Sequence, residues 1–299
     1  MTDVPFFIVG SARSGTTLLR LMLNAHSRVA VPPESRFICE FWTGEADIDV
    51  TDYLTQLATH KRYQLWDLPV HIVRAEIGDR DRMRFAEAID ATFHAWARVH
   101  GKSRWGDKTP RYIECMPLIL SLFPGARFVH LVRDGRNVAL SYADVPFGPK
   151  TVAKAADLWA RRVRIGMQEG RSMEPGHYIE IVYEDLVEDP LGEVKTLCEF
   201  IDLEFEPDML DYTEKARSAM LPSAKTLNPH VSEKPHAVRA WQTEMPDEHV
   251  EIFEAVAGDT LSELGYERRF PSPSGKAKML AALGKAGAPV AKLRSSPSR

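Results

Sequence analysis

Cysteine is scarce in this 299-residue chain: Cys39, Cys115 and Cys198 lie far apart. Such spacing makes neither a zinc-binding pair nor an even-numbered disulfide framework, so the three read as reduced, structural thiols. Long apolar runs are missing as well. The N-terminus, Met-Thr-Asp-Val-Pro, has no cationic segment leading into an apolar one, and no run of about 18 apolar residues occurs anywhere. The expectation is a soluble, cytoplasmic protein without a role in secretion. The ten histidines are scattered, with no two at ligand spacing on a common helix, and no metal is implied. Excess positive charge is also lacking. Net charge is −4, and the eight Lys or Arg between Arg268 and Arg299, with no Asp or Glu among them, leave about −12 on residues 1–267. An acidic body argues against nucleic acid as a partner, because phosphate backbones are bound by an extended cationic face.

The composition, 44% hydrophobic and 27% charged, is that of an ordinary globular protein, long enough to bury a full core. The organising stretch is Val4 to Asn24. Bulky apolar residues from Phe6 to Val9 read as a buried strand, the turn Gly10-Ser-Ala-Arg-Ser-Gly15 comes next, and a Leu/Met-rich helical pattern begins at Thr16. Strand, Gly-rich turn and helix N-terminus together form a phosphate cradle. The glycine spacing is that of a nucleotide P-loop, but the Lys that such a loop carries after its second glycine is replaced by Thr16, and the cation is Arg13.

The same grammar recurs. Ala126 to Val132 is a second apolar strand, ending in Arg133-Asp-Gly-Arg before a helical segment through Tyr142, and Tyr178 to Val182 is a third, ending in Tyr183-Glu-Asp-Leu. Helical patterns cover Met83–His100, Tyr112–Phe123, Thr151–Glu169, Pro190–Ile201 and Asp247–Leu264, whereas residues 44–82 are too irregular to assign. Alternating strands and helices predict an α/β, P-loop-like three-layer domain, with a mainly parallel central sheet flanked by helices and ligands at the carboxyl ends of the strands. This domain is expected over residues 1–270, followed by a basic, flexible tail, 271–299, with one marginal helix and a weak attraction to anionic membrane. Residues 221–241 form a polar loop long enough to be a functional lid.

The turn and its Arg-Ser-Gly-Thr-Thr-Leu core resemble the phosphosulfate-binding loop of the sulfotransferase family, closest to its tyrosylprotein and carbohydrate members. The resemblance covers about residues 5–265 in ordered pieces. It implies a donor, 3′-phosphoadenosine 5′-phosphosulfate (PAPS), and a product, PAP, with Arg13, Ser14, Gly15, Thr16 and Thr17 on the 5′-phosphosulfate. It further implies Arg133 and Ser141 on the 3′-phosphate, Tyr183 on the nucleotide and Arg239, from the long loop, near the 3′-phosphate. Trp241 packs near adenine on this reading, and Ser223, Thr226 and Ser232 are equivalent candidates for one more donor contact. Glu34, after Pro32-Pro33, resembles the catalytic glutamate of the tyrosylprotein enzymes, a general base for an acceptor hydroxyl. Lys108, in Gly-Asp-Lys-Thr-Pro, resembles the Lys that stabilises the departing group. Two departures stand out: the catalytic His of the cytosolic enzymes is Pro110 here, and an Arg that tyrosylprotein enzymes use is Val145.

Each residue has a plainer reading. Glu34 pairs with Arg36, Lys108 with Asp107 or another acid, and Tyr183 anchors the core. The hydroxyl-bearing acceptor, a small molecule, glycolipid or peptide, is not encoded in any motif. The alternatives in function are a P-loop kinase, with Asp134 holding Mg²⁺, and a non-catalytic adenosine-bisphosphate-binding protein.

Overall fold

A computed structural model of the chain describes residues 4–211 and 240–293. Arg239, Ser223, Thr226 and Ser232 lie outside them. The strands are β1 (Phe6–Gly10), β2 (Val29–Ala30), β3 (Asp47–Asp49), β4 (Arg82–Arg84), β5 (Arg104–Lys108), β6 (Arg127–Val132) and β7 (Tyr178–Val182). Helices up to the long one are α1 (Thr16–Ala25), α2 (Phe37–Phe41), α3 (Val50–Thr59), α4 (Val70–Ile77), α5 (Phe85–Val99), α6 (Met116–Leu122), α7 (Gly135–Tyr142) and α8 (Val152–Arg171). Those beyond are α9 (Tyr183–Glu188), α10 (Pro190–Phe200), α11 (Trp241–Glu244), α12 (Asp247–Glu263) and α13 (Gly275–Lys285).

Five strands make one parallel sheet in the order β2-β5-β1-β6-β7, with Phe6 opposite Gly106 on one side and Arg127 on the other. Strand alternation sorts the core. Phe7, Val9, Trp105 and Phe128 pack on one face with residues of α5 and α6, while Phe6, Ile8, Val129 and Leu131 pack on the other with α1, α9 and α10. Burying one such side chain contributes about 1.5–3 kcal/mol, so the helix-covered sheet is the stable frame for the strand ends. Strand order converges three motifs on one edge. The carboxyl ends of β5, β1 and β6, adjacent in the sheet, carry Lys108, the 10–15 turn and Arg133.

Three expectations need correction. Cys39 and Cys115 are joined in a disulfide, and Cys198 alone is a buried free thiol. Proximity through the fold, across 76 residues of chain, could not be read from spacing. The helix expected over Tyr112–Phe123 is a 3-10 turn, Pro110–Glu114, followed by α6, because Cys115 (φ −139°) breaks the helical path. Finally, the marginal helix of the tail is α13, which docks rather than floats: Ala277 and Ala281 are buried in a cluster with α8 and α12, and Leu293 N donates to Lys150 O at 2.9 Å. Lys276 pairs with Glu248 and Lys285 with Asp157. Residues 44–82, unassigned from sequence, hold α3, α4 and the antiparallel β3–β4 ribbon. No described helix is long and apolar enough to cross a membrane.

Candidate active site

The turn after β1 is built by two glycines. A Cβ on Gly10 would lie 2.6 Å from Leu131 O, and one on Gly15 2.3 Å from the Tyr183 ring, so neither position accepts a side chain. Gly15 (φ 96°) leads into α1, whose start has no side-chain cap and no acidic residue in its first turn. Its first backbone N–H groups and the positive helix end are thus left for an anion. Thr16 and Thr17 open that turn. Ser14 is 1% exposed and, among the described residues, its Oγ has no hydrogen-bond partner.

Arg13 takes a left-handed conformation (φ 74°) and donates from Nε to Ser141 Oγ on α7 at 3.0 Å. This bond joins the first loop to the second motif, 128 residues away. Arg133 reaches the same place from the end of β6: its guanidinium lies 4.2 Å from the Tyr183 ring centroid and approaches Arg13 O at 3.5 Å. Among the described residues its buried Nε has no partner. Tyr183, 6% exposed, is therefore both a core anchor and the platform under Arg133. Burial pushes its hydroxyl pKa up, and Arg133 opposes that. A buried hydroxyl and a guanidinium N–H without acceptors, beside an uncapped helix start, are a donor set suited to phosphate oxygens.

Glu34 and Lys108 meet on the other side of the turn. Lys108 Nζ donates to Glu34 Oε1 at 2.9 Å, and Arg36 Nε and Arg62 Nη1 each lie 3.9 Å from Glu34 Oε2. The plain reading of Glu34 holds in part, since Arg36 is near it. The plain reading of Lys108 also has its pair, the acid being Glu34. Burial alone would raise the Glu34 carboxyl, but Lys108, by charge and hydrogen bond, with Arg62 and Arg36, outweighs it and holds the carboxyl below its usual range. Burial also depresses the Lys108 ammonium, against the pull of Glu34. Arg36 is itself left-handed (φ 60°), so two of the five described non-glycine residues of positive φ sit at this site.

Asp134 is committed elsewhere. Arg136 donates to both of its oxygens, Nε to Oδ1 at 3.0 Å and Nη2 to Oδ2 at 2.7 Å, and also to Glu254. Both oxygens of the carboxylate that the kinase reading assigns to Mg²⁺ are thus engaged within the protein. Trp241 is nearly buried, with Arg136 at 3.6 Å and Arg269 at 4.9 Å from its ring centroid.

Sequence reasoning missed Arg20, Arg62 and Asp107. Arg20, on α1, donates to Val31 O at 3.0 Å, and burial lowers its pKa to about 10 against the pull of Glu34. A lone cation inside Leu-Leu-Arg-Leu-Met-Leu was the available signal. Arg62 lies in the unassigned stretch and had none.

The sequence model of the Sulfotransferase family matches residues 5–207. The chain belongs to the sulfotransferase family. Among its relatives, an uncharacterized protein of Aquifex aeolicus is 27% identical over 74% of this chain, which spans only 28% of that protein. A putative protein-tyrosine sulfotransferase of Caenorhabditis briggsae is 26% identical over 70% of this chain and 69% of its own length. The solved sulfotransferase domain from the curacin biosynthetic pathway superposes with a TM-score of 0.58 over 89% of this chain and 99% of its own, at 21% identity, which establishes a shared fold.

Proposed function

We propose that the chain transfers a sulfuryl group from PAPS to an acceptor hydroxyl. The observation that carries this reading is the Glu34–Lys108 pair standing beside a phosphate-type loop that Arg13 ties to Ser141 and Arg133. In this reading Arg13, Ser14, Gly15, Thr16 and Thr17 hold the 5′ side of the donor. Arg133 and Ser141 hold its 3′-phosphate over Tyr183, and Arg239 adds a contact from outside the described residues. PAPS, when bound, supplies an activated sulfuryl group on a stable bisphosphate leaving group.

The chain's own residues do the rest. Glu34 takes the proton of the acceptor hydroxyl, whose oxygen attacks sulfur in line as the bond to the 5′-phosphate oxygen breaks. Lys108 and Arg13 neutralise charge gathering on that leaving oxygen, aided by the N-terminus of α1. Lys108 must loosen from Glu34 to do so, which frees the carboxylate and raises its basicity at the moment a base is needed. The acceptor class is a hydroxyl compound. The C. briggsae relative's name points to tyrosine in a protein, and a phenol is the simplest probe of that chemistry.

The test is transfer of ³⁵S from labelled PAPS to a panel of phenols, alcohols and peptides in EDTA, set against ATP with Mg²⁺. Labelled product with PAPS supports the reading. Phosphorylated product with ATP, or tight PAP binding with no product from any acceptor, overturns it in favour of a kinase or a binding protein respectively.

A further inference from the structure

Asp107 immediately precedes Lys108 on β5, so the two side chains leave the strand on opposite faces. Lys108 turns to Glu34. Asp107 turns inward, 0% exposed, and the Ser35 and Thr109 hydroxyls are the hydrogen-bonding groups turned toward it, at geometry looser than that of an ordinary hydrogen bond. A buried carboxyl held so loosely is costly, and these surroundings indicate what it serves.

Those surroundings are hydroxyls that tie the Glu34 turn to the strand end. Ser35 N donates to Thr109 Oγ1 at 3.1 Å, the Ser35 and Thr109 hydroxyls lie 3.4 Å apart, Ser35 Oγ is 2.8 Å from Tyr112 OH, and Ile38 N donates to Tyr112 OH at 3.0 Å. Proton counting is informative. Thr109 Oγ1 and Tyr112 OH each accept a backbone N–H, so the cluster holds three hydroxyl protons to place and Asp107 is its one carboxyl acceptor. Lys108, Glu34 and Tyr112 are the titratable groups that feel its charge, and Arg20, Arg36 and Arg62 surround the Glu34 side. Burial pushes the Asp107 carboxyl up to about 7, while the Ser35 and Thr109 hydroxyls and the Lys108 charge pull it back.

We propose that Asp107 is a positioning residue for the Glu34–Lys108 pair: it gathers the Ser35 and Thr109 hydroxyls beneath the pair and thereby fixes the carboxylate against the ammonium. The inference rests on Glu34 acting as the base. The main chain on either side of Glu34 is held by two bonds, Trp66 Nε1 to Pro33 O at 2.8 Å before it and Ser35 N to Thr109 Oγ1 at 3.1 Å after it, and the second belongs to the hydroxyl cluster beside Asp107.

The experiment compares Asp107→Asn, Asp107→Leu and Thr109→Val in the full chain, with PAPS and phenol as substrates and PAP binding by calorimetry. Asp107→Leu and Thr109→Val should lose about 100-fold in kcat, the scale of a misplaced catalytic group, with PAP affinity and donor KM unchanged. Asp107→Asn, which keeps an acceptor oxygen, should restore most of kcat while flattening the limb of the pH–rate profile near neutrality. Wild-type kcat in Asp107→Leu, or an Asp107→Asn variant as damaged as Asp107→Leu, overturns the proposal. Should Asp107→Leu not fold, Thr109→Val and Ser35→Ala decide by the same kcat and PAP readouts. If the wild type transfers to no acceptor of the panel, the functional reading is what fails, and ¹³C NMR of carboxyl-labelled protein judges the positioning alone. A moved Glu34 titration midpoint in Thr109→Val, which leaves every charge in place, its signal assigned by loss in Glu34→Gln, supports it, and an unmoved one overturns it.

Discussion

Lys108 Nζ donates to Glu34 Oε1 across 2.9 Å, linking the carboxyl end of β5 to the turn beyond β2. Two strands neighbouring in the sheet thus deliver a carboxylate and an ammonium to one point, although 74 residues separate them in sequence. The pair sets the first prediction. Glu34→Gln keeps the shape and a hydrogen-bond acceptor for Lys108 but removes the proton sink, so kcat should fall by about 10²–10⁴-fold while PAP binds as before. Calorimetry beside single-turnover assays checks both halves. Retained turnover would falsify the base assignment.

Arg133 is predicted to carry donor affinity. Its guanidinium rests on the Tyr183 ring with a buried N–H awaiting an acceptor, and a hydrogen bond to a charged group is worth about 1.5–3 kcal/mol. Arg133→Ala should weaken PAP binding by that amount. Ser141→Ala should cost less, about 1 kcal/mol, since it removes one hydroxyl and leaves the Arg13 charge in place. Equal PAP affinity in the two variants and the wild type would place the 3′-phosphate elsewhere.

Much of this site was legible because it lies where strands end. Gly10 to Thr17 and Arg133 to Ser141 combine a local pattern, apolar strand then turn then helix, with Arg, Ser and Thr side chains of the kind that bind anions. The parallel sheet was readable from the same alternation. The hidden part depends on contacts distant in sequence. The carboxyl of Asp107 reads as a partner for its neighbour Lys108, and only strand alternation in three dimensions turns the two apart. Arg62 reaches Glu34 from a 3-10 segment with no periodicity of its own, Tyr63–Trp66 being its continuation. The disulfide escaped for the same reason.

Acid stability should report on His130. It sits on β6, 0% exposed, with Nδ1 2.6 Å from Tyr178 OH, and burial lowers its pKa from 6.5 to about 4. The unfolded chain therefore takes up a proton before the folded one does. Its stabilising contribution is complete above pH 6.5 and is lost as pH falls through the window from 6.5 to 4, a total of about 3 kcal/mol at 1.36 kcal/mol per unit. His130→Phe should remove this slope, with Tyr178 OH keeping Glu180 as its acceptor at 3.1 Å. Urea unfolding at pH 7.5 and 4.5 gives the comparison. An identical pH dependence in the variant would show that His130 is not buried neutral.

The Cys39–Cys115 bond makes the last prediction. It fastens the residues just beyond Glu34, through α2, to those just beyond Lys108, through the Pro110–Glu114 turn, and it closes a loop across 76 residues. On the chain-entropy account a loop of that length stabilises by about 4 kcal/mol by restricting the unfolded ensemble. Reduction, or Cys39→Ser with Cys115→Ser, should lower Tm by the corresponding amount, while Cys198→Ser, a buried thiol outside the bond, should not change the response to reductant. The turn of residues 10–15 is braced by β1 and β6 and not by this bond, so PAP affinity should survive reduction. The bond joins the segments that follow Glu34 and Lys108, so turnover should fall with the opening of the disulfide. Thiol counting by mass spectrometry along a graded redox series, read beside Tm and kcat, tests the link. A chain whose Tm and kcat ignore the redox state would mean that α2 and the Pro110–Glu114 turn are held by packing alone, through the Ser35, Thr109 and Tyr112 contacts.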